Sequence, residues 1–264
     1  MAEQLWAKGL PLDQILHRFT VGEDPTTDLS LLPYDAEASA AHARMLGESG
    51  LLPVDEAKAL VAELKVLQAA ALRGELVILP EQEDGHTALE AALTERLGET
   101  GKRVHLGRSR NDQVIMALRL LMRDQVLEMG SAAAKVARAF LDLAERHASE
   151  PLPGYTHLRR AMPSTWGQWA VAFAEGLGED LEALPALWRR LDRCPLGAAA
   201  GFGTPLPLDR ERTAELLDFS RVQASPIDVM NSRGRHELAV LAWIVSVAGT
   251  LEKALWDLAL YSTC

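Results

Sequence analysis

The feature that most constrains the fold is a stretch without proline, between Pro80 and Pro151. Within it, from Asp112 to about His147, apolar residues recur every three or four positions, which is the spacing of one helix face. These residues are Ile115, Leu118, Met122, Val126, Met129, Ala133, Val136, Phe140 and Leu143. At about 1.5 Å per residue such a helix is roughly 50 Å long. The pattern therefore predicts a bundle built from long helices.

Two more long helices are predicted downstream. After Pro163, tryptophan, phenylalanine and leucine residues keep helical spacing as far as Leu191, and we expect Pro185 to bend this helix. From about Ser232 to Tyr261, leucine, valine and alanine repeat with the same period. The Gly- and Ala-rich stretch from Leu196 to Leu208 is expected to be a loop.

Shorter elements are predicted around these helices. An extended arm with at most a short helix is expected as far as Pro33, because glycine and proline are frequent there. The predicted short helices are 35–47, 55–73 with Asp55 as its cap, 86–97 ending at Gly98, and 209–219. We therefore expect a small helical domain over residues 1–100 and a central bundle domain over residues 101–264.

Composition agrees with an all-α protein and narrows its partners. Hydrophobic residues make up 48% and aromatic residues 5% of the chain, with much Leu, Ala, Glu and Arg. The net charge of -10 and pI near 5.2 argue against nucleic acid and favour a small-molecule ligand. Because long helices carry more apolar surface than one small subunit can cover, we expect an oligomer.

Several other classes of protein are not indicated. Cys194 and Cys264 match neither a disulfide framework nor metal-ligand spacing. The first twelve residues lack a signal-peptide core, and the longest apolar run, 238–251, is too short to span a bilayer. No Walker loop, dinucleotide fingerprint, zinc cluster or Gly-x-Ser-x-Gly elbow occurs. We expect a cytoplasmic protein with no metal and no cofactor.

The segment from Gly101 to Gln113 is the most informative for function. It places Ser109, Arg110 and Asn111 at the start of the longest predicted helix. A helix N-terminus has unpaired N–H groups and partial positive charge, so it favours a carboxylate, which Arg110 can grip with two hydrogen bonds. The alternative is that the polar residues only cap the helix while the arginine is solvated.

Two further segments carry candidate residues. Thr156 and His157 lie in a proline-bounded connection, 153–163, where a histidine is suited to proton transfer; a polar surface histidine is the alternative. The acidic segment 81–86 contains Asp84 and His86 just before a helix, and capping by Asp84 accounts for it without any function.

The sequence resembles the argininosuccinate lyase family. Gly-Arg-Ser-Arg-Asn-Asp-Gln, residues 107–113, and Gly-Tyr-Thr-His-Leu-x-Arg-Ala-x-Pro, residues 154–163, look like its first two signature regions. Residues 83–90, 195–200 and 260–263 add supporting matches. This family belongs to the fumarase and aspartase superfamily, and Arg110 between Ser109 and Asn111 favours it over adenylosuccinate lyases and fumarases.

The resemblance implies an activity and roles for the candidates. It implies β-elimination of argininosuccinate to arginine and fumarate, in arginine biosynthesis. Ser109, Arg110 and Asn111 match residues that bind the succinyl carboxylates, Thr156 and His157 match residues that hold substrate and assist proton transfer, and Asp84 and His86 match a supporting region. It further implies a homotetramer whose active sites draw the signature regions from three subunits.

The departures from the family pattern leave a second hypothesis open. The family's third signature is a Gly-Ser-Ser-x-Met-Pro-x-Lys-x-Asn loop that carries the serine base. It has no counterpart in this sequence, so this chain alone is not expected to convert substrate. Gly234 stands where the family usually has an acidic residue. The alternatives to an argininosuccinate lyase are a catalytically silent helical oligomer and another superfamily lyase, such as adenylosuccinate lyase.

Overall fold

The computed structural model describes residues 14–79 and 82–263 and confirms an all-α fold with one two-stranded sheet. The helices are α1 (Gln14–Val21), α2 (Asp24–Thr27), α3 (Leu32–Glu48), α4 (Val54–Leu72), α5 (Gly85–Leu97), α6 (Glu99–Lys102), α7 (Arg110–Arg146), α8 (Trp166–Leu191), α9 (Arg210–Leu216), α10 (Pro226–Asn231) and α11 (Arg235–Tyr261). Strands β1 (Pro151–Thr156) and β2 (Arg159–Thr165) pair antiparallel. The three long helices predicted from the apolar period are therefore confirmed as α7, α8 and α11.

The chain divides into two compact units. The first takes the chain up to Leu121 and again from Asp192 to Arg233; the second takes the chain from Met122 to Leu191 and again from Gly234 onward. This division falls inside α7 because the segment after α8 returns to pack on the first unit. The boundary expected between residues 100 and 101 stays a prediction.

The core of the first unit lies mainly between α3 and α4. Buried there are Ala36, Ala43, Met45, Leu46, Leu60, Leu64 and Leu67, and Leu89 and Leu93 of α5 pack against them. Gly47 allows the two helices to approach closely, since a Cβ on it would lie 2.5 Å from the Cβ of Ala57. A second cluster, including Met116, Leu196 and Phe219, fixes the returning segment on α7.

Cys194 belongs to that second cluster and is a free, buried thiol. Burial raises its pKa to about 11, so it stays protonated and packs as a small apolar side chain. Cys264 lies outside the described residues.

Aromatic rings organise one end of the second unit. Phe140, Trp166, Trp169, Phe173, Tyr155 and Tyr261 form a chain of ring contacts with centroids 5.0 to 6.1 Å apart. The Tyr261 hydroxyl donates to the carbonyl of Pro153 at 2.9 Å, and the Trp169 indole N–H donates to Asp257 at 2.9 Å. The rings and these polar contacts fix the strand pair against α8 and α11.

The extended arm is a wrong prediction for the part of it that the structure describes. Residues 14–30 form α1, α2 and a short 3-10 turn, while residues 1–13 lie outside the described residues. The prolines on which the extended arm was predicted lie at the start of helices instead. Pro25 lies in the first turn of α2, and Pro33 lies in the first turn of α3. Asp55 is likewise not a cap, because Pro53 occupies that position of α4.

Helix α11 is apolar on an exposed side. Leu238, Leu241, Val245, Leu255 and Trp256 are each more than half exposed. By length and composition this helix could cross a bilayer, which the run 238–251 alone did not indicate. A helix covered by other subunits has the same composition, so the observation does not choose between these environments.

Candidate functional site

The start of α7 is a capped helix N-terminus. The Ser109 N–H donates to Asp112 Oδ1 at 2.9 Å, and the Ser109 hydroxyl oxygen accepts from the Asn111 N–H at 3.3 Å. Ser109 is thus the N-cap of α7, with its hydroxyl on the second helical residue and its own N–H bonded to the third, and its role in binding a carboxylate stays a prediction. The Ser109 hydroxyl hydrogen is not used in these bonds, and it can donate to a ligand.

Asp112 is an important residue that the sequence analysis did not single out. It is fully buried, and its Oδ2 accepts from the N–H groups of Gly197, at 3.0 Å, and Ala199, at 2.9 Å. Burial raises its pKa, against the backbone N–H groups that favour the charged form. The sequence signal that could have identified Asp112 is its position three residues after Ser109, a Ser-x-x-Asp spacing typical of a helix start. Asp112 thereby fixes the predicted loop 196–208 on the start of α7.

Arg110 is held by residues at the start of α5. Its Nη1 donates to Asp84 Oδ2, and its Nη2 donates to the Thr87 hydroxyl at 2.9 Å. Asp84 is also the cap of α5, because its Oδ1 accepts from the Thr87 N–H at 2.8 Å. The predicted cap is thus confirmed, and it brings two of the candidate residues together. The Arg110 side chain remains 35% exposed, so a ligand can reach it.

Asn111 contacts Arg233, which directly precedes Gly234, the position where the sequence departs from the family pattern. Its Oδ1 accepts from Arg233 Nη1 at 3.2 Å, which adds a second guanidinium beside the helix start. Gly234 itself has φ +80°, a conformation that side chains rarely adopt, and it precedes α11. Glycine therefore suits the backbone here better than an acidic residue would.

His86 lies in the interior of the first unit and not at its surface. Its Nδ1 is 2.7 Å from Asp35 Oδ2, and the two side chains are 6% and 2% exposed. Burial lowers the pKa of His86, but the Asp35 carboxylate outweighs it and holds the pKa above its usual value. Burial also raises the pKa of Asp35, and the charge of His86 brings it below its usual value. The pair anchors the start of α5.

Thr156 and His157 lie at the tip of a strand pair, where a loop was predicted. Thr156 ends β1, and His157 and Leu158 form the two-residue turn, with φ of +50° and +60°. Such left-handed pairs suit the twist of a hairpin. Thr156 and His157 are both exposed and belong to the second unit, whereas Ser109, Arg110 and Asn111 belong to the first. Their catalytic roles stay predictions.

In residues 14–79 and 82–263, no three His, Cys, Asp or Glu side chains are grouped so that they could hold a metal ion.

Comparison with known proteins gives relatives over the whole chain. Residues 11–264 match the family described as Lyase. The argininosuccinate lyase of Sorangium cellulosum (strain So ce56) is 47% identical over 99% of this chain and 61% of its own length. The argininosuccinate lyase of Bacteroides thetaiotaomicron is 40% identical over 100% of this chain and 59% of its own. The chain therefore spans about three fifths of the length of these curated relatives.

Solved structures share the fold. A structure of EDDS lyase in complex with formate superposes with a TM-score of 0.80 at 30% identity, covering 97% of this chain and 50% of that one. A fumarate lyase:delta crystallin from Brucella melitensis, bound to cobalt, gives a TM-score of 0.77 at 20% identity and covers 97% and 62%. The second likeness concerns the fold alone, and it is the helical fold described above.

Proposed function

Because this chain belongs to the lyase family, we propose that the protein acts as an argininosuccinate lyase, which cleaves argininosuccinate to arginine and fumarate in arginine biosynthesis. The observation that carries the proposal is the start of α7, where Ser109, Arg110 and Asn111 surround a helix N-terminus. This arrangement suits a dicarboxylate such as the succinyl part of the substrate.

The proposed binding mode uses groups of three kinds. Arg110 offers charged donors, the Ser109 hydroxyl and the Asn111 amide offer neutral donors, and the helix start adds partial positive charge. Arg233, which already donates to Asn111, adds a positive charge nearby. A carboxylate that enters has to compete with Asp84 for Arg110, so binding exchanges one ion pair for another.

The proposed reaction is an elimination across a C–C bond. A base removes a proton from the carbon beside a carboxylate, that C–H electron pair becomes the double bond of fumarate, and the C–N bond breaks toward the guanidino nitrogen. Negative charge grows on the carboxylate during proton removal, and the donors at the start of α7 stabilise it. His157 returns a proton to the leaving nitrogen, and Thr156 helps to hold the substrate. By resemblance, the base belongs to the serine loop of the family's third signature.

We also propose that the protein is a cytoplasmic homotetramer. The exposed apolar side of α11 supports an oligomer, because a monomer would leave five large apolar side chains of this helix more than half exposed to water. Thr156 and His157 lie exposed at a hairpin tip, where they can reach a site on another subunit.

Calorimetry with argininosuccinate tests the binding part of the proposal. Wild type is expected to bind, and Arg110→Ala is expected to lose the binding because the bidentate grip is gone. Arg103→Ala is the matched control, since Arg103 pairs with Glu56 on the surface. Equal affinity of wild type and Arg110→Ala would refute the assignment of this site.

A further inference from the structure

A row of buried polar side chains runs along α3 and faces the segment that precedes α7. Asp35, Ser39 and His42 are spaced four and three residues apart, which places them on one face of the helix. All three are at most 2% exposed. Polar groups are buried at a cost unless they are bonded, so their partners indicate what the row is for.

Arg108 is the central partner of this row. Its Nη1 donates to the Ser39 hydroxyl oxygen at 2.8 Å, and Ser39 in turn donates to Asp35 Oδ1 at 3.4 Å. His42 donates from Nε2 to the carbonyl of Leu106 at 2.8 Å, two residues before Arg108. Residues 106–108 are therefore fixed on α3 by a backbone contact and a side-chain contact.

The guanidinium of Arg108 is poorly satisfied for a group in this position. Its Nε and Nη2 atoms are buried and have no hydrogen-bond partner among the described residues. Burial lowers the pKa of Arg108, although the carboxylates of Asp35 and Asp112 favour its charged form. Arg108 as a whole is partly buried, and a cation with two buried, unmatched donors contributes little to stability, so its position needs another explanation.

Position in the chain supplies that explanation. Arg108 directly precedes Ser109 and Arg110, and its side chain points inward while that of Arg110 reaches Asp84 and Thr87. We infer that Arg108 is a positioning residue: through Ser39 on α3 it fixes the turn that presents Ser109, Arg110 and Asn111 to a carboxylate ligand. This inference rests on the proposed function for the identity of the ligand, but not for the contacts.

The test separates positioning from general stability. Arg108→Met fills the space with an apolar chain, and Ser39→Ala removes only the hydroxyl that aligns the guanidinium. Arg108→Met is expected to weaken argininosuccinate binding by about tenfold, because displaced donors at the start of α7 lose the equivalent of one hydrogen bond to a charged group. Its thermal midpoint is expected to change little, because the removal of unmatched donors offsets the lost attraction to the Asp35 and Asp112 carboxylates.

Two more variants complete the comparison. Arg108→Lys keeps a charged donor near Ser39 and is expected to bind with an affinity between wild type and Arg108→Met. Arg103→Met is the matched control and is expected to behave as wild type in both measurements. The inference is overturned if Arg108→Met binds as wild type does, or if affinity and thermal midpoint fall together and lysine restores neither.

Amide hydrogen exchange at Ser109 and Gln113 distinguishes this inference from the proposed function. Both N–H groups are bonded in the capped start of α7. Exchange is expected to be faster in Arg108→Met and Ser39→Ala and unchanged in the control Arg103→Met. This result supports the anchoring by Arg108 whether or not wild type binds argininosuccinate. If wild type does not bind it, the proposed function fails and the inference about Arg108 stands. Unchanged exchange in both variants overturns the inference.

Discussion

Asp84 uses its two carboxylate oxygens for different partners. Oδ1 caps α5 by accepting from the Thr87 N–H, and Oδ2 accepts from Arg110. The sequence alone indicated the cap, because Asp precedes a helical apolar pattern. It could not indicate the contact with Arg110, since that depends on how α5 and α7 approach each other.

Substitutions at Asp84 separate these two tasks. Asp84→Ala is expected to lower the free energy of unfolding by about 1 kcal/mol, because the cap is lost. Asp84→Asn keeps an oxygen for the cap and loses only a partly exposed ion pair, so a smaller decrease is expected. Urea unfolding of both variants beside wild type checks this, and equal decreases would show that the cap does not matter.

The buried pair of His86 and Asp35 makes stability depend on pH. The pKa of His86 is raised, so its contribution is complete below the unfolded value of about 6.5 and is lost as pH rises through the folded value. The pKa of Asp35 is lowered, so its contribution is complete above about 3.9 and is lost at lower pH. Between these limits, at about pH 5, the pair contributes most.

Urea unfolding at pH 5 and pH 9 measures this contribution. The loss of stability in His86→Gln, relative to wild type at the same pH, is expected to be larger at pH 5. The difference from wild type is needed because His42, whose pKa burial lowers to about 3, acts in the opposite direction. A loss that is the same at both values would mean that His86 is neutral in the folded protein.

At the scale of elements, the period of apolar residues identified α7, α8 and α11, because a long helix repeats its signal many times. The strand pair was missed because the turn at His157 and Leu158 carries no Asn-Gly or Asp-Gly. Of the site, Ser109, Arg110 and Asn111 could be placed at a helix start from sequence. Arg233 could not, because it lies far along the chain and meets Asn111 only in the folded unit.

Asp112 joins the start of α7 to the loop that contains Gly197 and Ala199, so its substitution is expected to destabilise both. Its oxygens accept three backbone N–H groups, from Ser109, Gly197 and Ala199. In Asp112→Asn the amide NH₂ faces N–H donors, so the free energy of unfolding is expected to fall by about 2 kcal/mol. Asp209→Asn is the control, because Asn also caps a helix and Asp209 is exposed. Similar unfolding curves for the two variants would contradict the role given to Asp112.

For the whole molecule, the exposed apolar side of α11 predicts association. Replacing Leu238 and Val245 together by Glu is expected to reduce the mass in solution to that of a monomer, because charges would be buried at the contact. Leu72→Glu, on the first unit, is the matched control, since Leu72 is 70% exposed. Light scattering after size exclusion measures the mass, and a monomeric wild type would contradict the proposed oligomer.

The most direct test of the central claim is fumarate release from argininosuccinate, followed by ultraviolet absorbance. The assay compares this chain alone with this chain joined to the part of the Sorangium cellulosum argininosuccinate lyase that it does not match. We predict release by the joined protein, loss of release when Arg110 is changed to Ala, and no release by this chain alone. A joined protein that binds argininosuccinate and releases no fumarate, or that keeps its full rate without Arg110, would contradict the account.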